Sequence, residues 1–152
     1  MSTSAVEPIL SGLGREMGVD EFALNDGDSV DLVLEDDLLI NLAREDDRSQ
    51  LCITCELGSW PSLSEEFLRL LLKSNDPSVD GAITMAMRAA DESLVAMTSV
   101  SYAELTLDAL RQSLADTAQS CQAWTRLLSE GVGTSPAKAA DDGLPTRASL
   151  RV

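Results

Sequence analysis

Two periods alternate along this chain. Apolar residues recur three and four positions apart over residues 5–17, 63–73 and 105–130, the spacing of a helix with one buried face. They recur at every second position over residues 30–34, 38–43, 51–57, 83–88 and 94–100, the spacing of a half-buried strand. The pattern predicts the order helix, three strands, helix, two strands, long helix, and an α+β fold.

In the first helix Val6, Ile9, Leu10, Leu13 and Met17 share a face. Gly12 and Gly14 each weaken that helix by about 1 kcal/mol, so it depends on packing. Asn25-Asp26-Gly27-Asp28 is a turn cluster with glycine available for positive φ. The first strand then sets Val30, Leu32 and Leu34 on one face against Asp31. In the second, Leu38, Ile40 and Leu42 oppose Leu39, Asn41 and Ala43; in the third, Leu51, Ile53, Cys55 and Leu57 oppose Cys52, Thr54 and Glu56. The acidic turns 35–37 and 44–48 are too short for a helical crossover, so these strands form an antiparallel meander. Ile83, Met85 and Met87 alternate with Thr84, Ala86 and Arg88, and residues 94–100 return as a fifth antiparallel strand. Val33 and Leu39 fall on the outer face.

The middle helix has more apolar surface than one face needs. Ser62 and Glu65 have the spacing of a capping box, and Pro61 discourages helix upstream. Leu63, Phe67, Leu70 and Leu71 make the core stripe, while Leu68 and Leu72 point elsewhere. Leaving two leucines exposed forgoes about 3–6 kcal/mol, large beside a net stability of about 5–15 kcal/mol. This helix asks for a second partner besides its own core.

The last helix carries Leu107, Leu110, Leu114, Ala118, Cys121, Trp124 and Leu128 in a stripe, with Thr106 as N-cap and Gly131 as stop. Residues 132–152 are rich in Gly, Ala, Ser, Pro and Thr without periodicity, and read as a disordered or loosely attached tail. The 152 residues therefore divide into one domain, 1–131, and a tail, 132–152.

Charge narrows the partners. With 26 acidic against 11 basic residues the chain carries a formal charge of −15. Phosphate backbones and anionic membrane surfaces repel such a molecule, and a basic or partly unfolded protein segment is attracted to it. No apolar run is long enough to span a bilayer, and the first residues lack the basic and apolar segments of a secretory signal.

Chemistry is narrowed further by the absence of histidine, which removes Ser-His-Asp and Cys-His catalysis and the commonest metal ligand. No glycine-rich phosphate loop occurs. The turn carboxylates Asp26, Asp28, Glu35, Asp36, Asp37, Glu45, Asp46 and Asp47 read as solvated surface rather than a paired-carboxylate site. Cys52-Ile53-Thr54-Cys55 lies in strand sequence, where residues three apart face opposite ways. Those thiols and Cys121 therefore read as inert in a reducing compartment. Asp76, Ser78, Asp80 and Gly81 match early positions of a calcium loop, but Met87 stands where the bidentate glutamate belongs. No catalytic residue, cofactor or metal is expected; the mechanism is binding.

Four stretches in this order resemble the class I type III secretion chaperones of Gram-negative bacteria, the Tir chaperone or CesT-like family, over residues 5–130. They are Leu24-Asn25-Asp26-Gly27 before the first strand, Leu57-Gly58-Ser59-Trp60-Pro61 after the third, Leu71-Leu72-Lys73-Ser74-Asn75 ending the middle helix, and residues 107–128 with Trp124 near the end. The resemblance implies a cytoplasmic homodimer without ATPase activity. It would hold the N-terminal segment of an effector extended and secretion-competent, with no nucleic-acid or membrane partner. It also implies a dimer interface at Leu68, Leu71, Leu72, Met85 and Met87, and effector contacts at Ile9, Leu13, Val33 and Leu39. The other reading is an acidic α+β adaptor, such as a regulator of secretion gene expression, that binds a folded protein.

Overall fold

The computed structural model describes residues 6–19, 28–34, 37–60, 62–78 and 83–130. The elements are α1 (Val6–Glu16), β1 (Ser29–Leu34), β2 (Leu38–Glu45), β3 (Gln50–Ser59), α2 (Glu65–Ser74), β4 (Thr84–Met87), β5 (Ser93–Ser101) and α3 (Leu107–Ser129), in the order expected. A single 3-10 turn, Asp46–Arg48, joins β2 to β3. The five strands form one antiparallel sheet in the order β1-β2-β3-β5-β4. After β3 the chain leaves through α2 and returns at the sheet's far edge as β4; β5 then fills the place between. The edges are β1 and β4.

Strand alternation decides which side is core. Leu32, Leu38, Ile40, Leu42, Leu51, Ile53, Cys55, Leu57, Met85, Leu94, Ala96 and Val100 are buried with the apolar sides of all three helices. The opposite face carries Asp31, Val33, Leu39, Asn41, Ala43, Cys52, Thr54, Val95 and Met97, in cross-strand register with one another. At the end of β3 the register with β5 shifts between Glu56 and Gly58. Gly58 takes φ 92° there, a conformation that side-chain-bearing residues rarely adopt. The chain then turns inward, and Trp60 is buried with its indole N–H donating to the Leu57 carbonyl at 3.1 Å.

The helices cap largely as their sequences suggest. Thr106 accepts the Ala109 N–H at 3.0 Å and starts α3. The cap of α2 is Ser64, not Ser62: its hydroxyl accepts the Phe67 N–H at 3.1 Å. That start places Phe67 and Leu71 inward, and puts Phe67 where a reciprocal capping glutamate would stand, so no capping box forms. Leu70, expected in the stripe, is 39% exposed on one flank of the buried arc. Phe67 meets Trp124 of α3 edge to face, with ring centroids 5.5 Å apart at 81°. The inner side of α2 is therefore held by α3 as well as by the sheet. Gly12 of α1 faces Leu107 of α3, where a Cβ would lie 3.4 Å from the nearest methyl.

Candidate binding surfaces

Two apolar surfaces stand out among the described residues, besides Met17 and Val19 at the end of α1. The first is the outer side of α2 with the end of β4: Leu68 is 42%, Leu72 73% and Met87 45% exposed. Leu71 and Met85, expected at the same seam, are buried in the chain's own core. They support the surface from beneath. Helix geometry explains the split, since Leu68 and Leu72 lie one turn apart beside the arc that Phe67 and Leu71 occupy.

The second surface is the bare side of the sheet at β1 and β2. Val33, 42% exposed, pairs directly with half-buried Leu39 across the two strands. Ile9 and Leu13 belong to the other side: Leu13 is a core residue and Ile9 packs half-buried against the same cluster. The sheet thus separates the four expected effector contacts into two pairs. Outward residues here are short and mostly uncharged, with Asp31 held by the Asn41 amide at 2.8 Å.

A polar cluster missed at the sequence level ties the rim of the fold together. Arg44, on β2, has an 11% exposed side chain facing Asp46 at 2.8 Å, Asp28 at 3.6 Å and Glu7 at 3.8 Å. The Tyr102 hydroxyl donates to the other Asp46 oxygen at 2.8 Å. Hydrogen bonds from Arg44 and then Tyr102 hold the Asp46 carboxyl below the usual carboxylate range. Burial is the main cause that raises the Tyr102 phenol, with the Asp46 bond next. Asp46 is therefore a charged anchor for Arg44 and Tyr102, unsuited to moving protons near neutrality.

Other candidates for chemistry resolve in the same direction. Cys52 and Cys55 lie on opposite sheet faces, and all three thiols are free and buried. Hydrogen bonding to Cys55, with burial, pushes the Cys121 thiol far above its ordinary value, so no thiolate is offered for reaction. Asp76 of the calcium-like loop is occupied by the Ser78 N–H at 2.9 Å and the Ser78 hydroxyl at 2.7 Å. Asp80 and Gly81 lie outside the described residues, as does the tail expected from residue 132. Among the described residues no group of three acidic or cysteine side chains is placed to hold a metal, and no helix is long and apolar enough to cross a membrane.

An antiparallel sheet with helices on one face, a bare second face and an apolar outer helix side defines a protein-binding module. The chain belongs to the Tir chaperone protein (CesT) family, which it matches over residues 8–125. Its function class is that of the family, a type III secretion chaperone, and the family is one of chaperones and not of enzymes. A search of curated proteins finds no match. Among solved structures, a chain of the ExsC–ExsE complex superposes with a TM-score of 0.74 at 19% identity, covering 82% of this chain and 94% of that one. A chain of the HopA1–SchA chaperone–effector complex gives 0.71 at 13% identity, covering 82% and 97%. The Yersinia pestis type III secretion chaperone SycH, in complex with a fragment of YscM2, gives 0.63 at 16% identity, covering 77% and 97%. At these identities the likeness is one of fold.

Proposed function

We propose that two copies of this chain pair through the outer side of α2 and the end of β4, and that the dimer holds the N-terminal segment of a type III effector in the bacterial cytoplasm. The observation that carries the dimer is Leu72, 73% exposed in the last turn of a helix whose other side is already packed. A stable interface takes about 800 Å² from each partner. Leu68, Leu72 and Met87 would form its centre, with the charged flank of α2 as rim. Leu71 and Met85 act from below by fixing the positions of those three.

The effector segment is extended and apolar at intervals, and its basic residues meet the acidic surface. Val33 and Leu39 receive its apolar side chains on the bare face; Ile9 lies on the helical side, where a segment that wraps around the chain reaches it. Leu13 shapes that second contact from the core. Charge of −15 keeps the empty chaperone soluble and speeds encounter with a basic segment.

Co-expression with the product of a neighbouring effector gene tests the function. The complex should contain two chaperones and one effector by light scattering, and limited proteolysis should leave an N-terminal effector segment protected. A partner held only through a folded domain would instead favour the adaptor reading.

A further inference from the structure

Asn75 joins the two elements that carry the apolar surface of α2 and β4. Its side-chain amide meets the main chain of Met85 twice: Oδ1 accepts the Met85 N–H at 2.7 Å, and Nδ2 donates to the Met85 carbonyl at 2.8 Å. A primary amide presents a donor and an acceptor side by side, so it can hold both main-chain groups of one extended residue. Both ends of this clamp are anchored. Asn75 is the C-cap of α2, and its own N–H bonds the Leu71 carbonyl at 3.3 Å, which also accepts the Ser74 hydroxyl at 2.7 Å. Met85 pairs with Ala96 of β5, and its side chain is buried.

The clamp falls on one flank of α2. At 3.6 residues per turn, Leu68, Leu72 and Asn75 lie within about 60° of one another around the helix axis, and Leu70 lies about 140° or more from each. Because Asn75 bonds β4, the flank that borders the strand is that of Leu68 and Leu72. Met87 follows Met85 by two residues and projects from the same, helix-covered side of the sheet. Leu68, Leu72 and Met87, all exposed, thus form one surface built from two elements, with Asn75 at the joint. Apolar packing is non-directional, so Phe67 and Leu71 hold α2 on the core without fixing how far it slides along the strand. Two hydrogen bonds to one residue do fix it, since each weakens steeply away from its preferred distance and angle.

We propose that Asn75 is the positioning residue of the dimer seam. It sets Leu68 and Leu72 of α2 in register with Met87 of β4, so that a second copy meets a preassembled apolar surface on this flank and not on that of Leu70. An interface with two-fold symmetry uses the same patch in both copies, so an error in the register enters twice. This role rests on the dimer proposed above.

The test is the dimer dissociation constant of the full chain, read by sedimentation over a dilution series. Asn75→Ala should raise it by roughly tenfold or more, since each copy loses two hydrogen bonds. Urea unfolding separates this from a general loss of stability. The gap in midpoint between the unaltered protein and Asn75→Ala should be wider far above the dissociation constant than far below it; an equal gap overturns the proposal. Leu68→Ala should also weaken the dimer, whereas Leu70→Ala should leave it within about twofold, the scatter of a surface change. The reverse order overturns the flank assigned. Should Asn75→Ala not fold, Asn75→Asp keeps the shape and the acceptor for the Met85 N–H but sets a carboxylate oxygen against the Met85 carbonyl. It should weaken the dimer likewise, and an unchanged constant overturns the proposal. If neither variant folds, Asn75 serves folding and the proposal fails. An unaltered protein that stays monomeric at every concentration refutes the dimer itself and this role with it; an unaltered dimer indifferent to Asn75 refutes the role alone.

Discussion

Asp46 shows how a residue changes meaning between sequence and fold. In the run 44–48 it reads as one more solvated turn carboxylate, and it is exposed. Its partner Tyr102 lies 56 positions away, a distance over which no local pattern reports, so the cluster was not legible. Asp76 and Asp91 are likewise held down, each chiefly by hydrogen bonds from the serine two residues on. For all three the folded pKa lies below the unfolded value, so over that window the unfolded chain binds more protons. Their stabilisation is complete above about pH 4 and is lost as pH falls through the lower folded values. Thermal melts of the Asp46→Asn variant should therefore lie below those of the parent at pH 7, and the gap should narrow toward pH 3. A gap that stays constant with pH would remove Asp46 from the acid response.

Among the elements, the strands were the most readable, because period-two alternation assigns each residue to a face and one face here is apolar throughout. Leu32, Ile40 and Ile53 are buried for that reason. Where β5 sits was not readable: alternation fixes a strand's faces, not its neighbours, and its place between β3 and β4 follows from the α2 crossover. The cap of α2 was misplaced because Ser62 and Ser64 both suit an N-cap, and the choice is made by Phe67 finding Trp124. The glycines of α1 read as a local weakness to be offset by packing, and in the fold Gly14 is buried while Gly12 faces Leu107 of α3. Gly12 allows α1 to approach Leu107, yet a methyl at 3.4 Å would be in ordinary contact with it. Gly12→Ala should accordingly stabilise the protein by up to about 1 kcal/mol, the difference in helix propensity, measured as a higher urea midpoint at unchanged slope. A lower midpoint would mean that α1 and α3 cannot yield even by a few tenths of an ångström.

At the scale of the molecule, the surplus leucines of α2 and the outward pair on β1 and β2 are independent surfaces, and substitutions should separate them. Leu72 is so exposed that an aspartate there costs the isolated chain little, since surface changes usually fall within about 0.5 kcal/mol. In a dimer joined through α2 the same change places a carboxylate against the apolar side chains of the seam in each copy, at a desolvation cost. Leu72→Asp should then elute as monomer, or precipitate, where the parent elutes as dimer. Val33→Asp, on the other face of the sheet, should keep the parent's mass and lose effector. A soluble Leu72→Asp protein with an unchanged dimer mass would move the seam away from α2, and would leave its apolar outer side to the effector instead. Loss of effector on Leu72→Asp with the dimer intact would establish that assignment directly.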